Sequence, residues 1–81
     1  MTRARDVVEV IGRALADDAD AVTVTERESG DGTRIEVSTS GGDLGRMIGR
    51  QGRTAASIRA LAELAGDGEG RGVTVDFADT P

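Results

Sequence analysis

The sequence predicts an α+β domain of order α-β-β-α-α-β, with three helices covering one face of a three-stranded mixed sheet. Three observations lead there. Aliphatic residues recur at helical spacing near the start and again over 44–65. They alternate with polar residues at a period of two over 21–28, 33–39 and 73–77. Glycine-rich breaks separate these runs. One sheet with all helices on one side is the simplest way to bury every apolar stripe.

Ala4, Val7, Val8, Ile11 and Leu15 share one side of a helix expected over about Arg3–Asp17, closed by the polar run "DDAD". Val22 and Val24 alternate with Thr23 and Thr25, and Ile35 and Val37 with Glu36 and Ser38. Between them "SGDG" supplies turn residues, so 21–28 and 33–39 form a hairpin. Asp43 reads as the N-cap of a short helix over Leu44–Ile48. "GRQG" interrupts it, and a second helix carries Ile58, Leu61, Ala62 and Ala65 on one face until Gly66 stops it. The following "GDGEGRG" reads as a flexible loop. Val73, Val75 and Phe77 then alternate along a third strand, parallel to 33–39 through a right-handed crossover. Strand 33–39 is therefore central. The expectation is a single domain over 1–81, ordered over about 3–78, with a frayed tail at 79–81.

Composition narrows the chemistry. The chain has no Cys and no His, which removes disulfides, thiolate metal sites and the usual general base. No carboxylates pair in an apolar setting, so no catalytic residue, metal site or cofactor is expected. No apolar run approaches the length of a membrane span. The opening residues mix charge with aliphatics, unlike a secretory signal, so the expected location is the cytoplasm.

Net charge is −5, which argues against diffuse polyanion binding, yet the charge is uneven. Residues 43–59 carry four arginines against the lone Asp43, whereas the remainder holds six arginines against fourteen acids. Within that segment lies "IGRQGR". It can be a plain interhelical turn with solvated arginines. It lacks the GK[ST] ending of a P-loop and follows a helix instead of a strand, which excludes a nucleotide-phosphate loop. The third reading is a clamp for a sugar–phosphate backbone. Gly49 and Gly52 lack Cβ atoms and permit close approach, and the next helix begins at about Arg53, where free amides favour phosphate. Arg50 and Arg53 add permanent charge, and Gln51 adds a neutral donor and acceptor.

"GRQG" between two helices, in this element order, resembles the GXXG loop of KH domains in their type II arrangement. The longer run "DLGRMIGRQGRTAASIRAL" is similar to the KhpA family of small bacterial single-KH proteins, and the similarity extends over nearly the whole chain. The resemblance implies a type II KH fold. It implies that Gly49, Arg50, Gln51 and Gly52 hold the backbone of about four nucleotides of single-stranded RNA. Leu44 and Ile48 would form one wall of a base groove, the first hairpin strand and "SGDG" the other, and Arg46 and Arg53 would flank phosphates. The family implies RNA binding without catalysis, acting as an RNA chaperone or in post-transcriptional control tied to growth and division. It also implies self-association or pairing with a larger KhpB (Jag)-type KH protein, and neither a membrane nor a small-molecule substrate. A protein-interaction module on the same scaffold is the competing function. Phe77 reads as core, leaving no exposed aromatic for base stacking. Arg59 can face RNA or pair with Glu63 four residues on.

Overall fold

A computed structural model of the chain describes residues 2–30 and 32–79. The elements are α1 (Arg3–Leu15), β1 (Thr23–Ser29), β2 (Gly32–Thr39), α2 (Asp43–Ile48), α3 (Arg53–Gly68) and β3 (Gly72–Asp79). Single 3₁₀ turns lie at Ala19–Ala21 and Arg50–Gly52. The sheet order is β1-β2-β3, with β1 antiparallel and β3 parallel to the central β2. This is the α+β arrangement that the periodicities predict, and it is the one that the resemblance to type II KH domains implies.

The pleat explains the layering. Val24, Ile35, Val37 and Val75 project to one side and meet Ala4 and Val8 of α1, Met47 of α2, and Ile58 and Ala62 of α3. Arg34, Glu36 and Thr74 point from the opposite, solvated face. Thr2 starts α1 by accepting the Arg5 amide at 3.2 Å on its hydroxyl. Thr39 is buried within the sheet's inner face, its hydroxyl without a partner among the described residues.

Several boundaries move, each for a local reason. α1 ends at Leu15 instead of Asp17, because the amides of Asp17 and Asp18 turn away to the Asp43 carboxylate, at 3.0 and 3.1 Å. Asp43 is therefore not the N-cap of α2. Gly42 holds that position, and Asp43 is buried as the clasp between the α1–β1 connection and α2. Those two amide bonds, aided by the charge of Arg46, hold its carboxyl below the ordinary range. β1 begins at Thr23 because Ala19–Ala21 wind into the 3₁₀ turn.

The stop of α3 is Gly70, not Gly66. The Arg71 amide reaches Gly66 O at 2.8 Å and the Gly70 amide reaches Asp67 O at 3.0 Å, with Gly70 at φ 72°. That pair of bonds is a Schellman closure, which uses a left-handed glycine just past the end. "GDG" is thus the last turn of the helix. Gly66 is not a flexible hinge either, since it is buried against Val73 and the Arg71 carbonyl. At the far end, Ala78 and Asp79 pair with Ser38 and Thr39, so β3 includes the start of the expected tail. Thr80 and Pro81 of that tail, and Asp31 of the hairpin turn, lie outside the described residues.

Candidate nucleic-acid interface

The helices α2 and α3 meet at a corner whose backbone is set by three unusual conformations within four residues. Gly49 has φ 73° and ψ 176°, a region open essentially to glycine alone. Gln51 is left-handed at φ 58°, the single non-glycine residue with positive φ among those described. Gly52 follows at φ 75°. The corner is closed by the Gly49 amide on Gly45 O at 2.9 Å and the Gly52 amide on Gly49 O at 3.2 Å.

The two glycines have different reasons. A Cβ at Gly49 would lie 2.2 Å from Thr54 Oγ1 and 2.7 Å from Thr54 Cβ, so its bare face is filled by α3. Over Gly52 nothing lies within 4 Å. Close approach from solvent is therefore available at Gly52, whereas the sequence suggested it at both.

Arg50, Gln51 and Arg53 are exposed around this corner. Arg53 Nη2 donates to Gln51 Oε1 at 2.9 Å, which occupies the amide oxygen and leaves the Gln51 N–H donors outward. No side chain caps the start of α3. The Arg53 amide donates to Arg50 O, so it is the positive end of the α3 dipole that faces the same solvent as the two guanidinium groups. Such a combination of charge and donors favours an anion over a cation.

Leu44 and Ile48 lie one turn apart on α2, half-buried and outside the central core cluster. Ile48 leads directly into the corner at Gly49. Arg46 extends from the other side of α2, with Nη2 2.8 Å from Asp17 Oδ2 and Nε 3.6 Å from Asp43 Oδ1. Its charge is spent on acids of the α1–β1 connection.

The second wall differs from the expected one. β1 lies under α1 at the far side of β2, while β3 is the strand against which α2 and α3 pack. The surface beside the corner is thus the free edge of β3. Arg59 of α3 reaches that edge, donating Nε–H to Val75 O at 3.2 Å, with Cζ 5.2 Å from the centre of the Phe77 ring. Phe77 is only partly buried, at the margin of the core. The i,i+4 spacing to Glu63 carried no hint of either contact, because both depend on which strand ends up beneath α3. Among the described residues no three carboxylates converge as a metal site would require. Among them, too, no helix is long and apolar enough to cross a membrane.

The family described as KhpA/KhpB, KH domain, matches residues 5–77. The RNA-binding protein KhpA of Mycobacterium tuberculosis is 45% identical over 75 residues, covering 93% of this chain and 90% of that protein. The RNA-binding protein KhpA of Halalkalibacterium halodurans is 39% identical over 75 residues, 93% of this chain and 99% of the relative. Among solved structures, Era of Aquifex aeolicus superposes with a TM-score of 0.67 at 20% identity, covering 96% of this chain and 31% of Era. Era in complex with a segment of 16S ribosomal RNA gives 0.66 at 19% identity, over 94% of this chain and 29% of that one. The likeness to Era carries the fold alone. The chain belongs to the KhpA/KhpB family of KH-domain proteins.

Proposed function

We propose that this protein binds single-stranded RNA without catalysing a reaction, holding about four nucleotides by their backbone at the α2–α3 corner. The observation that carries this reading is the exposed Arg50–Arg53 turn set at the positive end of the α3 dipole, where no side chain caps the helix. Gly52 gives the strand room, Gly49 fixes the corner from within, and Arg50, Gln51 and Arg53 supply charge and donors. Leu44 and Ile48 offer bases an aliphatic wall. Arg46 drops out of the contact set because Asp17 and Asp43 hold it. The name RNA-binding protein KhpA borne by the relatives supports the same reading. A small RNA chaperone or post-transcriptional regulator in the cytoplasm, linked to growth and division, is the role that fits.

Arg50→Asp combined with Gln51→Asp tests it. Aspartate tolerates the left-handed conformation at 51, so the fold is retained while charge at the corner reverses. RNA binding, read by fluorescence anisotropy, is expected to vanish with circular dichroism and melting nearly unchanged. Unimpaired binding by the folded double variant would refute the reading.

One observation favours a second function, protein interaction. Val10 of α1 and Leu61 and Leu64 of α3 are exposed, at 69, 47 and 67%. A homodimer, or a heterodimer with a KhpB (Jag)-type KH protein, would use such positions. Sedimentation of the purified chain, alone and after Leu64→Glu, separates this from an RNA role: a dimer lost in the variant supports it, and a monomer throughout does not.

A further inference from the structure

Both free edges of the sheet carry an arginine from the overlying helix, but the two arginines differ. On β1, Arg5 Nη2 donates to Val24 O at 3.3 Å while its Nη1 is 2.9 Å from Glu9 and 3.7 Å from Asp6. Its charge is neutralised where it stands. On β3, Arg59 has the same carbonyl tether, to Val75 O, and the Phe77 ring at 5.2 Å, with no acidic partner among the residues whose side chains are described. Arg5 closes an edge. Arg59 is held at an edge yet is exposed as a residue.

The position also matters. Arg59 lies six residues beyond Arg53 on α3, about 9 Å along the helix axis. It faces the β3 side of α3, and α2, which carries Leu44 and Ile48, also packs on β3. A strand whose backbone is gripped at the corner would carry its neighbouring bases over this edge. A guanidinium plane is a surface on which bases stack, and an aromatic ring behind it fixes that plane by a cation–π contact.

We infer that Arg59, backed by Phe77, is the position on which one base of the bound strand stacks, and that it sets a purine preference at a single place in the footprint. The inference rests on the RNA reading above. A purine offers the larger π-face, and where recognition is by stacking, preference follows stacking strength.

The experiment steps a single adenine through every position of a short oligouridine and measures affinity for each. Wild-type protein is expected to show one position where adenine strengthens binding by about five- to tenfold. Arg59→Lys keeps the charge and removes the plane, and Phe77→Leu keeps an apolar side chain and removes the backing. Both are expected to flatten that peak to less than about twofold. Circular dichroism confirms that Phe77→Leu is folded, and Arg59→Lys, being a surface change, decides the matter alone if it is not. A wild-type profile that is flat although RNA is bound overturns this inference and leaves the RNA reading intact. A peak that survives Arg59→Lys overturns it as well, reducing Arg59 to a phosphate contact. Failure of the wild-type protein to bind any oligomer overturns the RNA reading and this inference with it.

Discussion

Thr54 fills the space where a side chain at Gly49 would begin: a Cβ there would stand 2.2 Å from the threonine Oγ1 and 3.1 Å from its amide nitrogen. Gly49 is also confined to a backbone region that only glycine occupies at ease. Gly49→Ala is therefore expected to cost about 1–3 kcal/mol from the backbone alone, with the clash added. Gly52→Ala meets open space and should cost about 1–2 kcal/mol for its left-handed conformation. The order reverses for RNA, since only at Gly52 would the new methyl face the strand. Urea denaturation and RNA titration of the two variants check both orders. Equal loss of affinity at matched stability would contradict the assignment.

A second contrast lies at the end of α3. A Cβ at Gly66 would lie 2.3 Å from Val73 Cγ2 and 2.8 Å from the Arg71 carbonyl oxygen, neither of which can move far. Gly66→Ala is expected to lose about 1–3 kcal/mol by overpacking. Gly68, in the same last turn, has nothing within 4 Å of its Cβ position. Gly68→Ala should gain about 0.5 kcal/mol by restricting the unfolded chain. Thermal melts of both variants suffice, and a stabilised Gly66→Ala would mean that Val73 and the Arg71 carbonyl do not close over that position.

How far the sequence could be read depends on the range of each interaction. The alternation of Val22 with Val24, Ile35 with Val37 and Val73 with Val75 sets the strands, because burial of one sheet face is written at a period of two. The corner was legible for the same reason: two glycines three apart interrupt an otherwise helical pattern. What escaped was set by distant neighbours. Nothing near Asp43 reveals that its carboxylate would serve Asp17 and Asp18, twenty-six and twenty-five residues upstream. The choice among Gly66, Gly68 and Gly70 as the stop turns on Val73 packing back over the helix. Arg59 could meet Phe77 only once β3 had taken the edge beside α3.

The Asp43 clasp predicts an acid dependence of stability. Its carboxyl titrates below the ordinary value because the Asp17 and Asp18 amides bind the charged form, with Arg46 adding a smaller attraction. A depressed folded-state value means the contribution is whole above the unfolded value of about 3.9. It is lost as pH falls from there through the lower folded value. Asp43→Asn removes that titration, so it should be less stable than wild type at neutral pH and lose less on acidification. Glu9, lowered by Arg5 and Arg13, and Glu26, lowered by Thr2, leave part of the slope in place. Urea melts across this range test the claim, and parallel acid slopes in the two proteins would remove Asp43 as a source.

Salt dependence would separate the arginines proposed to face RNA from the one that is not. Two or three phosphates neutralised at the corner give a slope of log K against log salt of about −1.4 to −2 for a single strand. Arg50 has no acidic partner among the described residues, whereas Arg46 is paired with Asp17 and Asp43. Arg50→Gln should therefore lower the slope's magnitude by about 0.7, one phosphate's share. Arg46→Gln should leave the slope where it is and reduce stability instead, by freeing the α1–β1 connection from α2. Titrations of the same oligomer at several salt concentrations give both slopes directly. If the Arg46 variant flattens the dependence as much as the Arg50 variant, the ion pair with Asp17 opens when RNA binds, and the contact surface extends across α2.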